Sequence, residues 1–81
     1  MKIKIKTFAN LKTICDFEEK TIKIPKNSLV ENILNSLIID FPSLKAEKDY
    51  LLFAINDEYA DLQTELKNND TLAIFPAVSG G

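Results

Sequence analysis

The chain has 81 residues, 46% of them hydrophobic, with ten basic and twelve acidic side chains for a net charge of −2. This is the size of one small domain, which buries only about 60 to 65% of its unfolded surface and has no room for a second domain or a deep internal active site. An isoelectric point near 5.0 and a net negative charge argue against a nucleic-acid binder built on a basic face.

Ile3 and Ile5 alternate with Lys2, Lys4 and Lys6, the period-two pattern of a half-buried strand. The lysines read as its solvated side, which would also guard against edge pairing. Because Met1 to Thr7 alternates instead of forming an apolar block, no signal peptide is read there and a cytoplasmic protein is expected. Thr21 to Ile24 repeats the alternation, with Ile22 and Ile24 inward, until Pro25 and Lys26-Asn27 break it. The two segments predict a hairpin with a long connection through Asn10 to Asp16. Within that connection Cys15, the single cysteine, cannot form an internal disulfide and reads as a small packing residue.

Ser28 precedes Leu29-Val30-Glu31, a capping-box pattern with Ser28 as N-cap and Glu31 three residues on. Leu29, Val30, Ile33, Leu34, Leu37, Ile38 and Phe41 then form one apolar stripe, so a helix is predicted from Ser28 to Phe41, where Pro42 stops it. That stripe must cover a sheet face. A polar connection from Ser43 to Asp49 leads to an apolar strand over Tyr50 to Asn56, followed by a turn at Asn56-Asp57-Glu58 and a brief return over Tyr59 to Leu62. Asn68-Asn69-Asp70 marks a second turn. Thr71 to Phe75 is the final strand, with Leu72 and Ile74 inward and Thr71, Ala73 and Phe75 outward. One helix packed across one mixed, four- to five-stranded sheet buries these surfaces economically, which makes the fold class α+β.

The chain lacks the histidine of a zinc site or a catalytic triad, and no apolar run approaches the roughly 18 residues of a membrane span. The paired carboxylates, Glu18-Glu19 and the Asp57/Glu58/Asp61 group, fall in predicted turns, solvated and without the burial that a general acid needs. The remaining chemistry lies in Gly80 and Gly81, the only glycines of the chain. A terminal carboxylate is a poor electrophile until a partner converts it to an acyl-adenylate, after which a sulfur or nitrogen nucleophile can attack it. Two residues without Cβ can thread a narrow channel. Pro76 cannot donate a ladder hydrogen bond and is expected to end the pairing, which divides the chain into a domain over 1–75 and an extended, mobile arm over 76–81. Six residues reach on the order of 20 Å at about 3.3 to 3.6 Å each.

Phe8-Ala9 with Leu11-Lys12, Leu51-Leu52 with Ala54-Ile55-Asn56, Leu66 with Asn69-Asp70, and Phe75-Pro76-Ala77-Val78-Ser79-Gly80-Gly81 together resemble the ubiquitin-like, β-grasp sulfur carriers. Within them the resemblance is to the small subunit of molybdopterin synthase, and it spans nearly the whole chain. Ala77 stands where that family commonly has a second proline, and Asp16 where it often has glycine.

The resemblance implies that the Gly81 carboxylate is adenylated by an ATP-using adenylyltransferase similar to the ubiquitin-activating class and then becomes a thiocarboxylate, a 1-thioglycine. The large synthase subunit would receive the arm, with Gly80 slipping through its channel, and sulfur would pass to a pterin precursor to build the dithiolene that holds molybdenum. It implies no stably bound cofactor or metal, and neither a nucleic-acid nor a membrane partner. Phe8, Tyr59 and Phe75 would face the partner as aromatic anchors, with Lys12 as a rim contact and Pro76, Val78 and Ser79 following the arm inward. Phe8 shares the lysine-bearing face of the first strand, although Phe8 and Tyr59 also suit a role capping the domain's own core. The alternatives are a sulfur donor for thiamine or tRNA thiolation, a modifier that forms isopeptide bonds, and a β-grasp interaction domain with no carrier role.

Overall fold

The computed structural model describes residues 1–77. Strands β1 (Lys2–Thr7), β2 (Glu19–Lys23), β3 (Leu51–Ile55), β4 (Glu58–Ala60) and β5 (Thr71–Pro76) form one sheet in the order β2-β1-β5-β3-β4. β1 and β5 run parallel at its centre and the other neighbours pair antiparallel. Helix α1 (Leu11–Ile14) interrupts the β1–β2 connection, and α2 (Val30–Asp40) supplies the main helix. One face of the sheet packs on α2 through Ile3, Ile5, Leu72 and Ile74 against Val30, Ile33, Leu34 and Leu37, all buried. This is the β-grasp expected from the alternation in the first and last strands. Burying each such side chain contributes about 1.5 to 3 kcal/mol.

The helix starts one residue later than its sequence pattern predicts, with Leu29 in place of Ser28 at the N-cap position. Ser28 does not cap it, because the Ser28 hydroxyl donates to the Pro25 carbonyl at 2.7 Å. The first helical N–H groups, of Val30 and Glu31, donate instead to the carbonyls of Thr64 and Leu62 at 3.0 and 2.9 Å. A remote loop thus satisfies donors that a side chain would otherwise take. Asn32 Oδ1 accepts from the Leu29 N–H at 2.7 Å, which closes the turn from the other side. The polar connection after α2 is also structured. Pro42–Tyr50 forms a 3-10 helix that buries Leu44, and Tyr50 ends it instead of opening β3.

Among the described residues, six other than glycine have positive φ: Ala9, Asp16, Asn27, Asn56, Asp57 and Asn69. Five of them are Asn or Asp, which tolerate the left-handed region best among residues with a Cβ. This is how the fold makes its turns without glycine.

Pro76 is a further correction, because pairing does not stop there. Pro76 sits opposite Leu51 in the β3–β5 ladder, and the Ala77 N–H donates to the Tyr50 carbonyl at 2.6 Å. Backbone groups alternate sides along a strand, so the position of the missing proline N–H faces β1. That strand has already ended at Thr7, and the proline therefore forfeits no ladder bond.

Candidate functional site

α2 covers one face of the sheet and leaves the other open. Even-numbered residues of β1 point to the open face, which carries Lys2, Lys4 and Lys6 and then Phe8 beyond the strand. The odd residues of β5, Ala73 and Phe75, share that face, and so do Leu52 and Ala54 of β3, which pair with Phe75 and Ala73. Tyr59 on β4 lies opposite Ala54.

This register brings the three predicted aromatic anchors together. Phe75 is at the centre, its ring centroid 6.3 Å from Phe8 in an edge-to-face arrangement at 87° and 6.1 Å from Tyr59 at 51°. Edge-to-face and tilted pairs at this separation are the favoured aromatic geometries. Around them lies a shallow groove of about 570 Å³ lined by Phe8, Ala54, Asp57, Tyr59, Phe75 and Pro76, among others. Phe8 is 42% exposed and Tyr59 80% exposed. Neither belongs to the domain's own core, and each ring packs on Phe75 at the surface. An exposed, preorganised apolar groove edged by polar groups has the anatomy of a protein-docking site.

Lys12 is not among the groove's lining residues. It sits on α1, 3.4 Å from the Glu18 carboxylate. Val78, Ser79, Gly80 and Gly81 lie outside the described residues. Cys15 is buried, and burial pushes its thiol above the ordinary range, the opposite of a reactive thiolate. Among the described residues no group of three or more His, Cys, Asp or Glu side chains is placed to hold a metal ion, and no helix is long and apolar enough to cross a membrane.

Sequence reasoning missed Leu52 and Ala54 as residues of the open face, and read Ala73 as outward without placing it at the groove. A signal for the first two was present. Leu51 to Ile55 is apolar throughout, whereas a strand wetted on one side alternates. A continuous run on a sheet with one helix layer means that the outer face awaits a cover.

Comparison with known proteins places this site in a family. The ThiS family model matches residues 5–81. The molybdopterin synthase sulfur carrier subunit of Arabidopsis thaliana is 32% identical over 81 residues, covering 100% of this chain and 84% of its own. The solution structure of small archaeal modifier protein 1 from Methanosarcina acetivorans superposes with a TM-score of 0.81 at 30% identity, covering 99% of this chain and 96% of that one. In the crystal structure of the Amycolatopsis orientalis BexX/CysO complex, one chain matches with a TM-score of 0.70 at 27% identity, covering 98% of this chain and 99% of that one. With the sheet, the helix and the aromatic groove already in place, the chain belongs to the ThiS family and, within it, to the molybdopterin synthase sulfur carrier subunits.

Proposed function

We propose that this chain is the sulfur-carrying small subunit of a molybdopterin synthase and that its reacting group is the carboxylate of Gly81. A carboxylate oxygen attacks the α-phosphorus of ATP on an activating adenylyltransferase and releases pyrophosphate. A sulfur nucleophile at the oxidation level of sulfide then displaces AMP from the acyl carbon and, after losing its proton, leaves the thiocarboxylate. The large synthase subunit takes up the charged end, and its own side chains direct the sulfur to the pterin precursor in the cytoplasm. The carrier holds no cofactor of its own. ATP is consumed by the activating partner.

The observation that carries this reading is the match to named sulfur carrier subunits along the whole chain, together with a family match that continues through residue 81. The groove supports it, since Phe75 and Pro76 lie on the strand that leads to the arm. Because pairing continues to Ala77, the arm's free span is shorter than the sequence suggested. Residues 78–81 can extend at most about 14 Å. A tethered sulfur nucleophile delivered from a docked domain replaces an encounter with free sulfide by a positioned attack, with a large entropic advantage.

Intact mass tests the reading. Incubated with the cognate activating enzyme, ATP and a sulfur source, the chain should gain about 16 Da as sulfur replaces oxygen, and a variant extended beyond Gly81 should gain nothing while staying folded. An unchanged mass with an enzyme verified on its own carrier refutes the sulfur role. The likeness to a small archaeal modifier protein favours one second reading, attachment of Gly81 to lysines of other proteins. That reading predicts higher-mass conjugates in place of the thiocarboxylate.

A further inference from the structure

We infer that the β1–β2 half of the open sheet face is an electrostatic docking surface for an acidic segment of the protein that covers the aromatic groove. Lys2, Lys4 and Lys6 project from β1, and Lys23 of β2 lies directly opposite Lys2. Against these four cations stands Glu19, 3.9 Å from Lys4 and 3.8 Å from Lys6, with the carboxylates of Glu18 and Asp57 only at the Lys6 end of the stripe. Among the described residues neither Lys2 nor Lys23 has an ion-pair partner.

Edge protection does not account for the stripe. β1 is flanked by β2 on one side and β5 on the other, so its lysines guard no edge. Like charges directly opposed across an antiparallel pair are destabilising, and here they occur in a chain whose net charge is −2. Positive charge is therefore concentrated on this surface against the balance of the molecule.

The patch is continuous with the groove. Thr71 lies beside Lys2 and Lys4 in one shallow depression and beside Lys6 and Phe8 in the next, and Phe8 lines the aromatic groove itself. Along β1 the distance from Lys2 to Phe8 is about 20 Å at roughly 3.3 Å per residue. The complementary partner surface has an apolar element over Phe75 and Tyr59 and carboxylates about that far away. An acidic protein segment fits better than a nucleic acid, because the adjoining groove calls for apolar side chains, which a sugar-phosphate backbone lacks. The proposal rests on the carrier reading only for the identity of the partner.

The test uses the full ¹⁵N-labelled chain and needs no partner. At about 20 mM salt, where screening is weak, hexaglutamate should shift the amides of β1 and β2 and leave those of the exposed Lys45 and Lys48 in place. A Lys2→Glu/Lys23→Glu variant, which keeps the like-charge opposition and hence the fold, should lose these shifts. Absent shifts, equal shifts at Lys45 and Lys48, or stronger shifts with a uridine hexanucleotide would overturn the proposal. With the large synthase subunit, the same variant should associate roughly tenfold more slowly at low salt with little change in dissociation, and an unchanged association rate would also overturn it. If the wild-type chain fails to bind that subunit, the carrier reading falls while the peptide titration still decides the inference.

Discussion

Replacing Phe75 with alanine separates docking from folding, because the ring is half-buried on the open face and touches no residue of the α2-facing core cluster through its aromatic pairs. Those pairs, with Phe8 at 6.3 Å and Tyr59 at 6.1 Å, are each worth about 0.5 to 1.5 kcal/mol. The variant should therefore lose about 1 to 3 kcal/mol of stability, at about 4 to 8 °C in Tm per kcal/mol for a domain of this size. It should stay folded at room temperature. In the complex, a central aromatic anchor contributes about 1 to 3 kcal/mol, so the Kd for the large synthase subunit should rise by about 5- to 150-fold. Calorimetric titration at a temperature where circular dichroism shows the variant fully folded measures that change. Ile39→Ala is the control, since Ile39 is 78% exposed on α2, across the sheet from the groove, and should leave Kd within about twofold. A Phe75→Ala variant with lowered Tm and unchanged Kd would mean that the aromatic cluster serves only its own domain, and the docking argument would fail.

Two other perturbations test the scaffold. Asp16 follows α1 with φ 57°, the position after a helix where glycine is commonest. Asp16→Gly removes a left-handed penalty of about 1 to 2 kcal/mol at the expense of about 0.5 to 1 kcal/mol in chain entropy, so Tm should rise by a few degrees, and a fall would refute the strain argument. Burial holds the Cys15 thiol protonated beyond the ordinary range, whereas the unfolded chain ionises at the ordinary value. Its contribution to stability is therefore complete below the ordinary thiol pKa and is lost as pH rises from there through the raised one. Between about pH 8 and about pH 10 the urea midpoint of the wild type should fall more than that of Cys15→Ala, and parallel falls would contradict a desolvated thiol.

What was legible in the sequence was periodicity. Ile3 and Ile5 in β1, Leu72 and Ile74 in β5 and Val30, Ile33, Leu34 and Leu37 of the α2 stripe are buried as their spacing demands, with Leu29, Ile38 and Phe41 half-buried at its margins, and the Asn-rich turns fall at Asn56 and Asn69 with positive φ. What was not legible depends on distant segments. The α2 start is set by the carbonyls of Leu62 and Thr64, more than thirty residues downstream of the helix's first turn, so local capping chemistry at Ser28 misled. The 3-10 helix over Pro42–Tyr50 is fastened by one buried apolar residue, Leu44, too few to make a period. Pro76 reads as a stop until the topology shows that β1 has already ended beside it. The aromatic anchors were readable from Phe75's outward register and the resemblance, but their convergence needs the non-sequential order of β1, β5, β3 and β4.

That strand order also bears on the proposed carrier role, in which so small a domain would position a reacting end for its partner. Phe75, the central ring of the aromatic cluster, and Ala77, which follows β5 and makes the last described ladder bond, lie two positions apart in the chain, about 7 Å along its extended course. β5 is an interior strand, tied to β1 at Ile74 and to β3 through Ala77. The base of the arm is thus rigid relative to the docking face. Such preorganisation removes ordering costs that a loop-borne anchor would incur on binding. In the proposed complex, seating the aromatic cluster would fix the origin of residues 78–81 within the partner. The partner would then have only those few residues to align, and the effective concentration of the proposed reacting end would depend on contacts made on the sheet, away from the reacting atom.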